Sequence, residues 1–306
     1  MRVLITGGSG ALGSEVCERL ESEDHETVVF DLAAPQRGTG SHWARGDIRD
    51  GLDLADAARS HRVEALIHLA SLLTFDTTAN PKRAVEVNSM GMVNALEVAR
   101  ILGIRRFVWA STAGVFARAS GEAIIANDAP YRPADVYGGT KVLNETLAGQ
   151  YSRDYGIEAV GLRFPLMLGA DQPTSLSGLL GVELIEKPLR GVPGRLPYSD
   201  DTANWLWIGD ASRAIVMAAL SDSVIAGNYN VGGDVRPLKE AVGIITDLIP
   251  GAEIVTEPGV FGLEFRLDSS LLEQNLGFRA EWRLEDQLAE LVRRARTRLE
   301  LEGASR

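Results

Sequence analysis

A run of β-branched and leucine residues, "RVLIT" (2–6), gives way abruptly to "GGSGALG" (7–13), which opens a stretch of helical periodicity, "ALGSEVCERLES" (11–22). Gly7, Gly10 and Gly13 recur at a three-residue spacing. Glycines so placed permit a tight turn, close approach of the backbone to a ligand, and close packing of the helix on its strand. The helix N-terminus, through residues such as Ala11 and Leu12, offers unpaired N–H groups and a partial positive charge. Strand, loop and helix together predict a pyrophosphate site in a dinucleotide-binding α/β fold. Asp31 ends the next apolar run, "TVVFD" (27–31), 18 residues past Gly13. A carboxylate there reaches ribose hydroxyls and repels a 2′-phosphate. The following "LAAP" has no cation, and Arg37 stands too far along to serve as a phosphate clamp. The expected cofactor is NAD rather than NADP.

Further apolar runs, "ALIHLA" (65–70), "RFVWAS" (106–111) and "EAVGLRF" (158–164), read as strands buried on both faces. Between them, "DLADAARSH" (53–61), "PKRAVEVNSMGMVNALEVARILG" (81–103) and the stretch 135–155 read as helices, with Pro81 at a helix start and Gly103 just past its end. This alternation predicts an α/β fold, a doubly wound parallel sheet of the Rossmann type, over residues 1–165. After Pro165 the rhythm breaks into Gly-, Pro- and Ser-rich segments over 169–204. Residues 166–306 are expected to form mainly a smaller substrate-binding lobe over the carboxyl edge of the sheet, with 204–228 returning to the first domain. Apolar positions at 284, 288, 291, 292, 295 and 299 predict an amphipathic C-terminal helix.

A net charge of −11 over 306 residues argues against a broad nucleic-acid or anionic-membrane footprint. The one cysteine, Cys17, allows no internal disulfide, fits a reducing compartment, and reads as a buried helix residue. No apolar run approaches membrane-spanning length, and the chain opens directly on a strand without room for a signal peptide. A cytoplasmic protein with a small-molecule substrate, no nucleic-acid or membrane partner and no metal site is the expectation.

"YGGTK" (137–141) puts Tyr137 and Lys141 four residues apart, on one face of a helix. With the glycine loop, this pair makes the chain resemble the extended short-chain dehydrogenase/reductase superfamily, also called the NAD-dependent epimerase/dehydratase family. The resemblance spans nearly the whole chain and is best over residues 1–170. "GDIRD" (46–50) is similar to the family's adenine-contacting pair, Asp47 and Ile48. "HLAS" (68–71) is similar to its loop under the cofactor, which implies contacts from Leu69, Ala70 and Ser71. "VNSMGMVNALEVA" (87–99) places Asn88 at the family's asparagine, and "LRFP" (162–165) places Phe164 and Pro165 beside the cofactor. "ASTAGVFA" (110–117) resembles the family's Ser-Ser/Thr-x-x-Val-Tyr-Gly strand end, with Thr112 at the catalytic hydroxyl.

The resemblance implies that Tyr137 takes a proton from a substrate hydroxyl while hydride leaves the adjoining carbon. Lys141 then favours the phenolate and holds the nicotinamide ribose, and Thr112, with Ser71 nearby, orients the substrate. It also implies a homodimer through the helices near 81–102 and 135–155.

The chain departs from nucleotide-sugar members in two places. "RFPLMLG" (163–169) has Leu166 where they carry an asparagine, and "TANWLWIGD" (202–210) has Ala203 where they carry an arginine. Both customary residues contact a diphosphate. A small sugar, sugar acid or hydroxy amino acid is therefore expected. "YGGTKVLNETLAGQY" (137–151) is similar to the L-threonine dehydrogenase sub-group, and "IEKPLRG" (185–191) faintly to sugar-acid dehydrogenases. A substrate carboxylate needs a cation, for which Arg195, Arg190, Lys187 and Arg118 are candidates. Trp205 and Trp207 share a strand face, as core or as a ring platform for a sugar; Thr174, Ser175 and Tyr198 lie in the same variable region. Two activities stay open: a dehydrogenase, and an epimerase or dehydratase that keeps NAD tightly bound. The same Tyr-Lys-Thr set serves both.

Overall fold

The computed structural model describes residues 1–35, 42–116, 124–169, 175–223, 225–262 and 265–304. Arg37, Arg118 and Thr174 lie outside the described residues. Strands β1 (Arg2–Thr6), β2 (Glu26–Asp31), β3 (His42–Arg45), β4 (Ala65–His68), β5 (Arg106–Thr112) and β6 (Glu158–Phe164) join Gly227–Asn230 in one seven-stranded sheet. Every pairing is parallel, and the spatial order is Gly227–Asn230, β6, β5, β4, β1, β2, β3. The chain order reverses at β1, with β2 on one side and β4 on the other. Such a switch point opens a crevice at the carboxyl ends of the strands.

The central strands are buried on both faces, as their continuous apolar runs require. The helix Ala11–Ser22 packs with Ile208–Leu220 on one face, burying Val16, Cys17, Leu20, Ala211 and Ile215. On the other face lie Gly51–Ser60 and the helix that follows β4, with Leu54, Met92, Ala95 and Leu96 in the core. Pro81 starts this last helix under an Asn80 cap, and Gly103 ends it in the left-handed region at φ +69°. A π-turn over Val85–Met90 interrupts it and carries Asn88.

Two strands of the sheet left no apolar run in the sequence. β3 and Gly227–Asn230 are its edges, and β3 is mostly exposed. An edge strand is held by backbone pairing on one side and needs no continuous apolar character.

The second lobe centres on a small sheet of Thr202–Trp207 between Leu166–Leu168 and Asp234–Pro237. Its core gathers Leu184, Trp205, Trp207, Ile245 and, from the C-terminal helix Leu284–Ala304, Leu284, Leu288 and Val292. Trp205 and Trp207 are fully buried, and Trp207 stacks on Trp282 at 5.2 Å between centroids. Neither ring can therefore serve as a sugar platform. Among the described residues no helix is long and apolar enough to cross a membrane, and no group of His, Cys, Asp and Glu is arranged to hold a metal.

Candidate active site

The turn after β1 is built to a tolerance that only glycine meets. Gly7 sits at φ +72°, and a Cβ there would stand 2.6 Å from the Ala70 nitrogen. A Cβ on Gly13 would stand 2.3 Å from the Gly7 oxygen. The loop thus folds against its own helix and against residues 69–70, leaving the helix N-terminus open to an anion. Asp31, at the end of β2, accepts from the Ser9 amide at 3.1 Å and so stands beside this loop. Asp31, Asp47, Ile48 and Ala70 line one pocket together with Gly7 and Gly10. The same two glycines, with Leu69 and Ser71, also line a second cleft of about 270 Å³. The two spaces share these lining residues.

The second cleft holds Ala11, Leu12, Gly13, Thr112, Tyr137, Lys141, Phe164 and Pro165. The helix Val136–Tyr155 is capped by Asp135, which accepts from the Gly138 amide at 2.8 Å. Gly138 lets this helix start against the turn after β5: a Cβ would meet the Gly114 oxygen at 2.3 Å. That close approach brings Tyr137 to Thr112. The Thr112 Oγ1 accepts from the Gly114 amide at 3.1 Å, which leaves its hydroxyl proton for a substrate oxygen. Lys141 Nζ donates to the Ala110 carbonyl at 2.9 Å and lies 5.6 Å from the centre of the Tyr137 ring.

The ionisation of this pair differs from the expectation. Burial pushes the Tyr137 phenol above its ordinary value, with the Asp135 carboxylate adding to the shift. Burial pulls Lys141 down to about 8, opposed by Glu145. Desolvation, with Asp135, thus holds the buried phenol in its neutral form despite the neighbouring lysine.

The sequence profile of the NAD dependent epimerase/dehydratase family matches residues 3–232. The chain belongs to that family. It is an enzyme of the extended short-chain dehydrogenase/reductase type, and NAD is its cofactor. A UDP-glucose 4-epimerase from Streptococcus mutans is 32% identical over 183 residues, 58% of this chain and 55% of the relative. The mitochondrial L-threonine 3-dehydrogenase of Bos taurus is 30% identical over 238 residues, 75% of this chain and 64% of the relative. The crystal structure of the Thermus thermophilus UDP-glucose 4-epimerase in complex with NAD superposes with a TM-score of 0.87 at 27% identity, covering 97% of this chain and 99% of that one.

Several of the family positions are engaged in hydrogen bonds within the protein. Asn88 does not line either space. It is buried, its Oδ1 accepts from the Leu72 amide at 2.7 Å, and its Nδ2 donates to the Leu72 carbonyl at 3.0 Å and to Thr140 Oγ1 at 3.3 Å. It ties the loop that follows β4 to the Tyr137 helix. His68 is buried, shares a hydrogen bond with Thr6 Oγ1 at 2.8 Å, and is pulled down to about 3 by burial and then by Lys141, so it stays neutral. Asp47 lines the pocket with Asp31, and both its oxygens accept from Arg49 Nε at 3.0 Å.

Arg195 does not line the described cleft. Its side chain is 64% exposed and pairs with Glu257. Arg190 pairs with Glu302 and Lys187 with Glu183, again away from the cleft. Ser175 does line it, while Tyr198 packs on Phe261.

Sequence reasoning missed Glu145. It follows Tyr137 and Lys141 at the same four-residue step, which was the available signal. Its carboxylate is buried and takes hydrogen bonds from Arg163, from Ser111 Oγ at 2.6 Å and from Tyr131 Oη at 2.7 Å.

Proposed function

We propose that the protein is an NAD-dependent oxidoreductase that removes hydride from a secondary alcohol carbon of a small substrate. What carries this reading is one observation: Thr112, Tyr137 and Lys141 line the same cleft as the glycine loop. Bound NAD supplies the hydride-accepting carbon and, in its oxidised form, a positive charge beside the phenol. Thr112 donates to the substrate oxygen and orients it. Tyr137 takes the hydroxyl proton, a role that needs that added charge because burial holds the phenol protonated. Lys141 is tied to the end of β5 through Ala110 and lies beside the Tyr137 ring, where it would hold the nicotinamide ribose. The alcohol leaves as a ketone, with reduced NAD and one proton.

The second reading, an epimerase or dehydratase that keeps NAD bound and returns the hydride, is favoured by the likeness to the Thermus thermophilus epimerase along almost the full chain. Leu166 and Ala203, at the two diphosphate positions, count against a nucleotide sugar. Hydroxy amino acids stay in question through the bovine relative, although the candidate cations Arg195, Arg190 and Lys187 are engaged elsewhere. The test follows absorbance at 340 nm with NAD and a panel of secondary alcohols, beside the Tyr137→Phe variant. Accumulating reduced cofactor, cut by roughly a hundredfold or more in the variant, supports the dehydrogenase. Tightly retained NAD with no accumulation on any alcohol points to the second reading.

A homodimer through the helices near 81–102 and 135–155 is part of the same proposal. Val85, Met90, Ile101, Leu143 and Tyr155 are exposed on these helices, and apolar side chains so gathered suit a partner. Light scattering on the eluting protein gives the mass; a monomer at micromolar concentration rejects the dimer.

A further inference from the structure

The cleft that holds Tyr137 is also lined by Leu73, Phe75, Phe116, Leu176, Phe261 and Phe265. Two of these rings are braced from behind. The Arg163 guanidinium lies 5.0 Å from the centre of Phe116, and Tyr198 packs 5.3 Å from Phe261. Among the described lining residues Lys141 is the one cation, and it is tied to the Ala110 carbonyl. Asp135 is the one anion, and it caps the Tyr137 helix. The other polar side chains are hydroxyls of serine, threonine and Tyr137.

A carboxylate or diphosphate set against these rings would lose its water and, among the described lining residues, meet no cation but Lys141, a large penalty. An apolar body set there is freed from water and meets packed rings. Independent of the rings, Leu166 lines the cleft and Ala203 is fully buried. The two positions expected to hold a diphosphate are thus apolar in place as well as in sequence.

We infer that the substrate is a secondary alcohol, or the matching ketone, carried on an uncharged aromatic or alicyclic body. Its oxygen sits at Thr112 and Tyr137, and its body rests on the phenylalanine wall. This rests on the proposed reaction at Tyr137. In the oxidising direction the substrate C–H bond would give up hydride to oxidised NAD and the O–H bond its proton to the Tyr137 phenolate, leaving a C=O bond and a neutral phenol.

The test is calorimetric titration of acetophenone and cyclohexanone against 2-oxobutyrate and UDP-glucose, on the full chain with and without NADH. Acetophenone or cyclohexanone is expected to bind roughly tenfold tighter or better than either charged probe. Phe75→Ser, at a position 40% exposed and so tolerant of change, and Leu176→Ser should each weaken the apolar probes roughly tenfold while leaving NADH affinity unaltered. Equal or tighter binding of 2-oxobutyrate or UDP-glucose overturns the inference, as does an absence of binding by both apolar ketones. Failure of NADH to bind, or oxidation of 1-phenylethanol that survives Tyr137→Phe, sinks the proposed reaction alone, since the ranking of the four probes is read without cofactor too.

Discussion

Arg163 and Glu145 meet in two charge-assisted hydrogen bonds, Nε to Oε1 at 2.9 Å and Nη2 to Oε2 at 2.6 Å, with side chains 4% and 0% exposed. The same arginine donates to the Asn127 carbonyl and to Asn230 Oδ1. One buried pair thereby joins the Tyr137 helix, the end of β6 and the edge strand Gly227–Asn230. Removing one partner of such a pair strands the other charge in the interior. Glu145→Ala should cost about 3–5 kcal/mol in urea unfolding, and adding Arg163→Met should recover part of it. A single-variant loss below about 1 kcal/mol would show that water reaches the pair.

Asn88 and Leu72 are joined through both backbone groups of the leucine. In Asn88→Ala those groups lose their partners in a part-buried place, so stability should fall by about 1–3 kcal/mol. Because the loop 69–72 lines the dinucleotide space, NAD affinity should fall with it. Unfolding midpoint and NAD titration on the same preparation check both halves; unchanged NAD affinity would make the tether purely structural.

Asp31 ends β2 beside the glycine loop. A carboxylate at that place would repel a 2′-phosphate and accept from ribose hydroxyls. Asp31→Ser should therefore shift the ratio of NADP to NAD affinity toward NADP by roughly tenfold or more. An unchanged ratio would place the ribose elsewhere.

His68 has its folded value near 3 against 6.5 for the free side chain. As pH falls below 6.5 the unfolded chain takes up a proton that the folded chain refuses, so stability drops steadily until about pH 3. His68→Gln removes this contribution. Its unfolding free energy should decline less steeply between pH 6.5 and about 4 than that of the parent chain, measured by urea titration at several pH values. Parallel slopes would mean that the ring is charged when folded.

The glycine loop, β1, β4, β5, β6 and the Tyr137–Lys141 face were legible because each is a local pattern: an apolar run, a helical period, a glycine spacing. β3 was not, since "HWAR" pairs along one edge and stays largely in water. Glu145 escaped notice because a carboxylate on a helix looks solvated until Arg163, 18 residues away, is seen to meet it. Arg195 was a reasonable cation by composition alone, and only the neighbouring Glu257 shows where its charge is spent.

The sequence by itself determined the parallel α/β architecture, the dinucleotide loop and the side of the Tyr137 helix that faces it. Backbone sterics and periodicity act over a few residues, and those can be read along a chain. The tertiary structure decided that Tyr137 is held protonated and Lys141 drawn toward neutral, that Asn88 braces a loop, and that phenylalanine rings line the cleft. Ionisation follows desolvation, and a wall drawn from residues 73, 75, 116, 176, 261 and 265 exists only once those segments are brought together.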